Sequence, residues 1–183
     1  MLKYFTQSLR IDVAPQALRL LRERRWGAAP PQLLAQQAII GNAAEALPGA
    51  MAAMLSGQDV AGQAACFVLS DELVRLWQVT PPAQAARLAD LEGAAALRFH
   101  TLYGEAPAAW HIRADWNAAR PFMAAAVPRV LQAAIERAAG QHALVVAGIV
   151  PHFVAAWNRH ARALKDNAWF GVAQGSVLAL AAC

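Results

Sequence analysis

Few side chains in these 183 residues stand at spacings that chemistry can use. Asp12, between Ile11 and Val13, is the most suggestive acid, and Asp71 and Asp166 are conceivable partners for it. Converging carboxylates of this kind hold the cations of two-metal phosphoryl chemistry. No spacing joins the three, and an outward-facing strand aspartate is the plainer reading of Asp12. The histidines are His100, His111, His142, His152 and His160, with no i, i+4 pair and no HExxH for a helical zinc site. His160 falls on the apolar side of an expected helix, as a half-buried imidazole would. GxSxG, GxGxxG and GxxxxGK[ST] are all missing. No catalytic residue, metal ligand or cofactor is assigned.

Recognition is better represented than catalysis. Arg22-Glu23-Arg24-Arg25 runs directly into Trp26, and a second basic cluster spans Arg159 to Lys165. Arginine and tryptophan are enriched among interface anchors, so Arg22, Arg24, Arg25 and Trp26 are the candidate interaction residues. The same pairing suits single-stranded nucleic acid, but one basic–aromatic pair is too little to select it. The net charge of +4 is modest. Binding to DNA would be steeply salt-dependent.

These residues need elements to position them. Leu9, Ile11 and Val13 alternate with Arg10 and Asp12, as in a half-buried strand. Pro15 turns the chain into a returning strand, Ala17 to Arg24, and a third strand runs from Leu33 to Ile40, so the three form an antiparallel meander. A helix follows over Glu45 to Leu55, with Pro48 in its first turn. Strands are expected at Ala64 to Leu69 and Leu73 to Val79. The next helix carries Leu88, Leu91, Ala95, Phe99 and Leu102 at steps of three and four, and Gly104 stops it. Two short strands, Trp110 to Ala114 and Phe122 to Val127, lead to a helix striped by Val130, Leu131, Ala134, Ile135 and Ala138. Leu144 to Val150 is continuously apolar, the mark of a strand covered on both faces. A last helix from Pro151 and a hairpin, Trp169 to Ala173 with Val177 to Ala182, complete the order βββ-α-ββ-α-ββ-α-β-α-ββ. Trp110, Trp157 and Trp169 are expected in the core, and Cys66 as a small buried thiol.

Composition agrees with a packed domain. The chain is 58% apolar and 15% charged, far from a disordered composition. Its two cysteines fit no disulfide framework, no secretory leader is read, and no apolar run reaches the ~18 residues of a membrane span. The reading is a cytoplasmic α/β protein with a mixed sheet and packed helices. A single domain covers 1–183, with 81–128 as an inserted α+β subdomain and 167–183 as a closing hairpin.

That element order resembles the first half of the actin-like, ribonuclease-H-like fold. Within it the chain is similar to the PilM and MshI group of type IV pilus biogenesis proteins, whose relative is the cytoplasmic part of the type II secretion protein GspL. The residues carrying the resemblance are Leu9 to Leu21 as first hairpin, Val68-Leu69-Ser70-Asp71-Glu72-Leu73-Val74-Arg75, Arg98 to Gly104, Trp110 to Asp115, Phe153 to Asn158 and the closing hairpin. The departures lie where actin-like ATPases hold phosphate. Their first turn is of Asp-Ile-Gly type, and Asp12-Val13-Ala14-Pro15 stands in its place, stiffer and short of one amide donor. The second such loop falls at Val172-Ala173-Gln174-Gly175-Ser176 and lacks an acid. The resemblance therefore implies a non-enzymatic scaffold at the inner membrane, with pilus or secretion components as protein partners. A homodimer or heteromer is expected, because a half-length apolar domain exposes a face that needs covering. The alternatives are an ATP-dependent phosphotransferase or metal-dependent nuclease of the same fold, anchored on Asp12, and a nucleic-acid-binding protein.

Overall fold

A computed structural model describes residues 7–24, 30–165 and 167–182. Arg25, Trp26, Asp166 and Cys183 lie outside the described residues, and Arg24 is placed only as the last residue of a strand. The chain divides into two compact units, Met1–Leu73 with Leu131–Cys183, and Val74–Val130.

The first unit is built on a sheet of five strands, β1 (Gln7–Ala14), β2 (Ala17–Arg24), β3 (Gln32–Ala38), β4 (Ala64–Leu69) and β8 (Val145–Pro151), in the order β3-β2-β1-β4-β8. The two hairpin pairs are antiparallel, whereas β1–β4 and β4–β8 are parallel. Alternation fixes the faces. Leu9, Ile11 and Val13 stand in register with Ala65, Phe67 and Leu69 on one face, and all six are at most 2% exposed. Leu18 and Leu20 extend that face across β2. Arg10, Asp12, Cys66 and Val68 share the other.

α1 (Ala43–Leu55) packs against β2 and β3 and buries Leu47, Met51, Met54 and Leu55. Asn42 caps it, its side-chain oxygen accepting the Ala44 N–H at 2.9 Å. The cap moves the start back two residues from Glu45, so Pro48 sits in the second turn and withholds an interior N–H. α3 (Arg129–Gln141) buries Leu131, Ala134, Ile135 and Ala138, but Val130 is 69% exposed and leaves the stripe. α4 (His152–His160) packs against β4 and β8. The strands β9 (Trp169–Gln174) and β10 (Val177–Ala182) form a separate antiparallel hairpin. Phe170 of β9 docks on α4, 5.6 Å from Phe153 and 5.5 Å from Trp157 between ring centres.

The second unit is a three-stranded antiparallel sheet, β5 (Arg75–Val79), β6 (Trp110–Ala114) and β7 (Phe122–Pro128), in the order β5-β7-β6. Leu73, expected to begin β5, instead ends a single tight helical turn over Asp71–Leu73. α2 (Leu88–Tyr103) covers the sheet through Leu91, Ala95 and Phe99. Phe99 stands 5.2 Å from Trp77, 5.2 Å from Tyr103 and 5.5 Å from Trp110. Asp90 accepts the Arg87 N–H at the start of α2, and Gly104, at φ 67°, ends it.

The element order agrees with the sequence reading throughout, and the fold class is the expected mixed α/β. Several side chains do not follow. β8 is the last strand of the sheet among the described residues, and with Val145 56% exposed the expected cover on both faces is incomplete. Trp110 is buried as expected, Trp157 is half-buried, and Trp169 is 74% exposed on the hairpin's outer face. His160 is exposed, not half-buried, although its ring lies 6.2 Å from that of Phe170. Cys66 is half-buried because its register partner is Arg10 on the polar face. Among the described residues no helix is long and apolar enough to cross a membrane.

Candidate functional site

Open α/β sheets present ligands beyond the carboxyl ends of their parallel strands. In the first unit those ends are Val13, Leu69 and Pro151, of β1, β4 and β8. The turn 70–73 fills the space after β4. Buried Ser70 donates its N–H to the Val13 carbonyl at 2.8 Å, and Leu73 donates to the Ser70 carbonyl at 2.9 Å. Two acids are thereby fixed at the sheet's end.

Asp71 is 4% exposed and accepts the Phe153 N–H at 3.0 Å, so it caps the first turn of α4. Its other oxygen lies 3.9 Å from His152 Nδ1. A carboxylate suits a helix N-terminus, whose amides lack intrahelical acceptors. Burial pushes the Asp71 carboxyl above its ordinary range, against the downward pull of the Phe153 N–H and of His152. Native Asp71 thus holds its proton to higher pH than the unfolded chain does. Its stabilising contribution is full below the ordinary carboxylate range and fades as pH rises through the raised native value. Between about pH 3 and 5.5, below the histidine range, urea unfolding should show Asp71→Asn gaining on the parent as pH climbs. A difference that stays flat with pH contradicts this assignment.

Glu72 points to the hairpin. Its Oε1 accepts the Ser176 N–H at 3.1 Å and the Ser176 hydroxyl at 2.9 Å. The β9–β10 turn places Gly175 at φ 58°, where a glycine is the natural first corner of a tight hairpin. A Cβ there would stand 2.5 Å from Glu72 Oε1, so the missing side chain makes room for the carboxylate. The amide of the second phosphate-loop position is therefore in contact with an anion belonging to the chain itself. At the first position, Pro15 has no N–H to offer and the Gln16 carbonyl accepts from Ile39 at 2.8 Å.

Asp12 is also engaged. Both its carboxylate oxygens accept from Arg10, which donates as well to Glu23 at 3.0 Å. Arg159 reaches the same Glu23 oxygen at 2.9 Å, tying α4 to the β1–β2 face. Among the described residues no three His, Cys, Asp or Glu side chains gather to hold an ion. Of the interaction candidates, Arg22 is exposed and opposite Leu9 in register, on the other face from Glu23. Arg25, Trp26 and the side chain of Arg24 lie outside the described residues.

The sequence reading missed three residues of this arrangement: Glu72, Glu23 and Arg159. Glu72 had a visible cue, because Ser70-Asp71-Glu72 follows the apolar run Phe67-Val68-Leu69, where a strand must end. Glu23 and Arg159 are 136 residues apart, and no local pattern pairs them.

No protein-family profile and no curated protein matches the sequence. Solved structures do match. One is the cytoplasmic domain of EpsL, described as an inner membrane component of the type II secretion system of Vibrio cholerae, at 16% identity and TM-score 0.57, over 81% of this chain and 58% of that one. A second is a PilM–PilN type IV pilus biogenesis complex, at 17% identity and TM-score 0.56, over 85% of this chain and 50% of that one. A third is a Bacteroides thetaiotaomicron protein described as having an actin-like ATPase fold and unknown function, at 7% identity and TM-score 0.52, over 93% of this chain and 63% of that one. This chain thus spans between 50% and 63% of the length of these structures. At such identities the likeness is one of fold, and the fold is actin-like.

Proposed function

We propose that this chain is a non-catalytic scaffold that holds protein partners in an assembly platform of the type IV pilus or type II secretion kind, on the cytoplasmic side of the inner membrane. The observation that carries the non-catalytic part is the Glu72 carboxylate on the Ser176 amide. A nucleotide phosphate placed there would meet a like charge, and the opposite turn has lost an amide to Pro15. The residues present do not fit a nucleotide's phosphates. The likeness to an EpsL cytoplasmic domain and to a PilM–PilN complex supports the platform part. In this reading 81–128 is an inserted subdomain, 167–183 is a closing hairpin, and Arg22, Arg24, Arg25 and Trp26 form one partner-facing surface.

Calorimetry with ATP and magnesium should give no heat of binding with the whole chain. Heat abolished by Asp12→Ala would replace the scaffold with an active nucleotide enzyme. In native membranes, cross-linking should recover the chain with pilus or secretion components at near-stoichiometric level. Recovery without any such component would refute the platform.

A further inference from the structure

The three-stranded unit ends on one side at β5, which among the described residues pairs only with β7. Alternate residues of an edge strand turn their N–H and C=O groups away from the sheet, and such an edge is a template for another extended chain. β5 lacks two of the usual protections. It has five residues, no proline and no lysine.

A cavity of about 650 Å³ runs beside this strand, within the range of ligand-sized clefts. Leu76, Trp77 and Val79 of β5 line it from the strand, and Ala94, Leu102 and Tyr103 line it from α2. Leu102 is 45% exposed there, which explains why its place in the helical stripe did not bury it. The polar groups are few. Tyr103 donates its hydroxyl to the Leu76 carbonyl at 2.8 Å, so one strand carbonyl is already engaged. The Trp77 indole N–H is buried and has no acceptor among the described residues. Arg98 lines the same cavity, is exposed, and has no ion-pair partner among the described residues.

We propose that β5 and α2 form a docking groove for an extended peptide segment of a partner protein, which adds to the sheet as a fourth strand. The segment carries apolar side chains at alternate positions, because β5 offers main-chain groups while the partly exposed Leu76 and Leu102 offer apolar wall. It carries an acidic residue opposite Arg98. This groove gives the scaffold reading a specific contact and rests on that reading for its biological partner, though not for the binding itself.

The test uses the whole chain and a capped heptapeptide alternating valine with serine, threonine and one glutamate. Saturable binding should be reported by a change in tryptophan emission, with loss of that change in Trp77→Phe. Arg98→Glu and Leu102→Glu, both exposed positions, should each weaken binding tenfold or more. Leu97→Glu is the control, since Leu97 is 69% exposed on α2 and does not line the cavity. A peptide with proline at the central valine should fail to bind, because it lacks the ladder N–H. Equal binding of the proline peptide, or binding indifferent to Arg98→Glu and Leu102→Glu, overturns the proposal. So does a concentration-dependent dimer in sedimentation that Arg98→Glu abolishes, which would give the edge to a second copy of the chain. Peptide capture without any pilus or secretion component in the native cross-links would leave the groove standing and remove only the platform.

Discussion

Phe99→Ala is expected to strip about 3–5 kcal/mol from the three-stranded unit. Phe99 is fully buried at the centre of an aromatic group, with Trp77, Tyr103 and Trp110 all within 5.5 Å between ring centres. Truncation removes the ring's transfer energy and leaves a cavity, because three rigid aromatic neighbours cannot close it. It also removes edge and tilted ring contacts worth about 0.5–1.5 kcal/mol each beyond burial. Domains carry about 5–15 kcal/mol in total, so a loss of this size unfolds the unit at modest denaturant. Urea unfolding followed by tryptophan emission measures it, since Trp77 and Trp110 sit in the same cluster. Leu97→Ala, two positions away and 69% exposed, should change stability by less than about 0.5 kcal/mol. Similar costs at both positions would mean that α2 presents a different face to the sheet.

That contrast shows what the sequence could and could not reveal. Spacing alone placed Leu91, Ala95 and Phe99 on the buried face of α2, and all three are there. The same spacing put Leu88 and Leu102 beside them, and both are exposed, at 52% and 45%. A helical stripe runs the length of the helix, but a three-stranded sheet is only wide enough to cover its middle turns. β8 failed for a related reason. Its apolar run read as a strand covered on both faces, but a run cannot reveal which strand ends the sheet, and Val145 lies on the edge. The element order and the hairpins were legible because period-two alternation and Pro or Gly turns are local. The site was only half legible. Pro15 could be read as an impaired phosphate turn directly from residue type, whereas the Glu72 contact with Ser176 joins residues 104 apart and needed the fold.

Long-range pairing also sets the second large effect, at Arg10. Its side chain is 13% exposed and serves two carboxylates, Asp12 at 19% and Glu23 at 23%. Arg10→Ala leaves Asp12 half-buried without its ion-pair partner and leaves Glu23 with Arg159 alone. Charge-assisted hydrogen bonds in such surroundings are worth about 1.5–3 kcal/mol, and the stranded carboxylate adds its desolvation, so a loss of about 2–3 kcal/mol is expected in urea unfolding. Arg10→Ala with Asp12→Ala should cost less than the sum of the single changes, since the double variant strands no Asp12 charge. Cys66, the register partner of Arg10, reports on the same arrangement. Burial holds its thiol above the ordinary value and Asp12 and Glu23 push the same way, while the Arg10 guanidinium alone pulls it down. In a Cys183→Ser background, thiol alkylation should therefore need a higher pH in Arg10→Ala than in the parent. Additive stability losses together with an unmoved alkylation profile would show that Arg10 merely packs over the strand, and that the charges on this face of the sheet act independently.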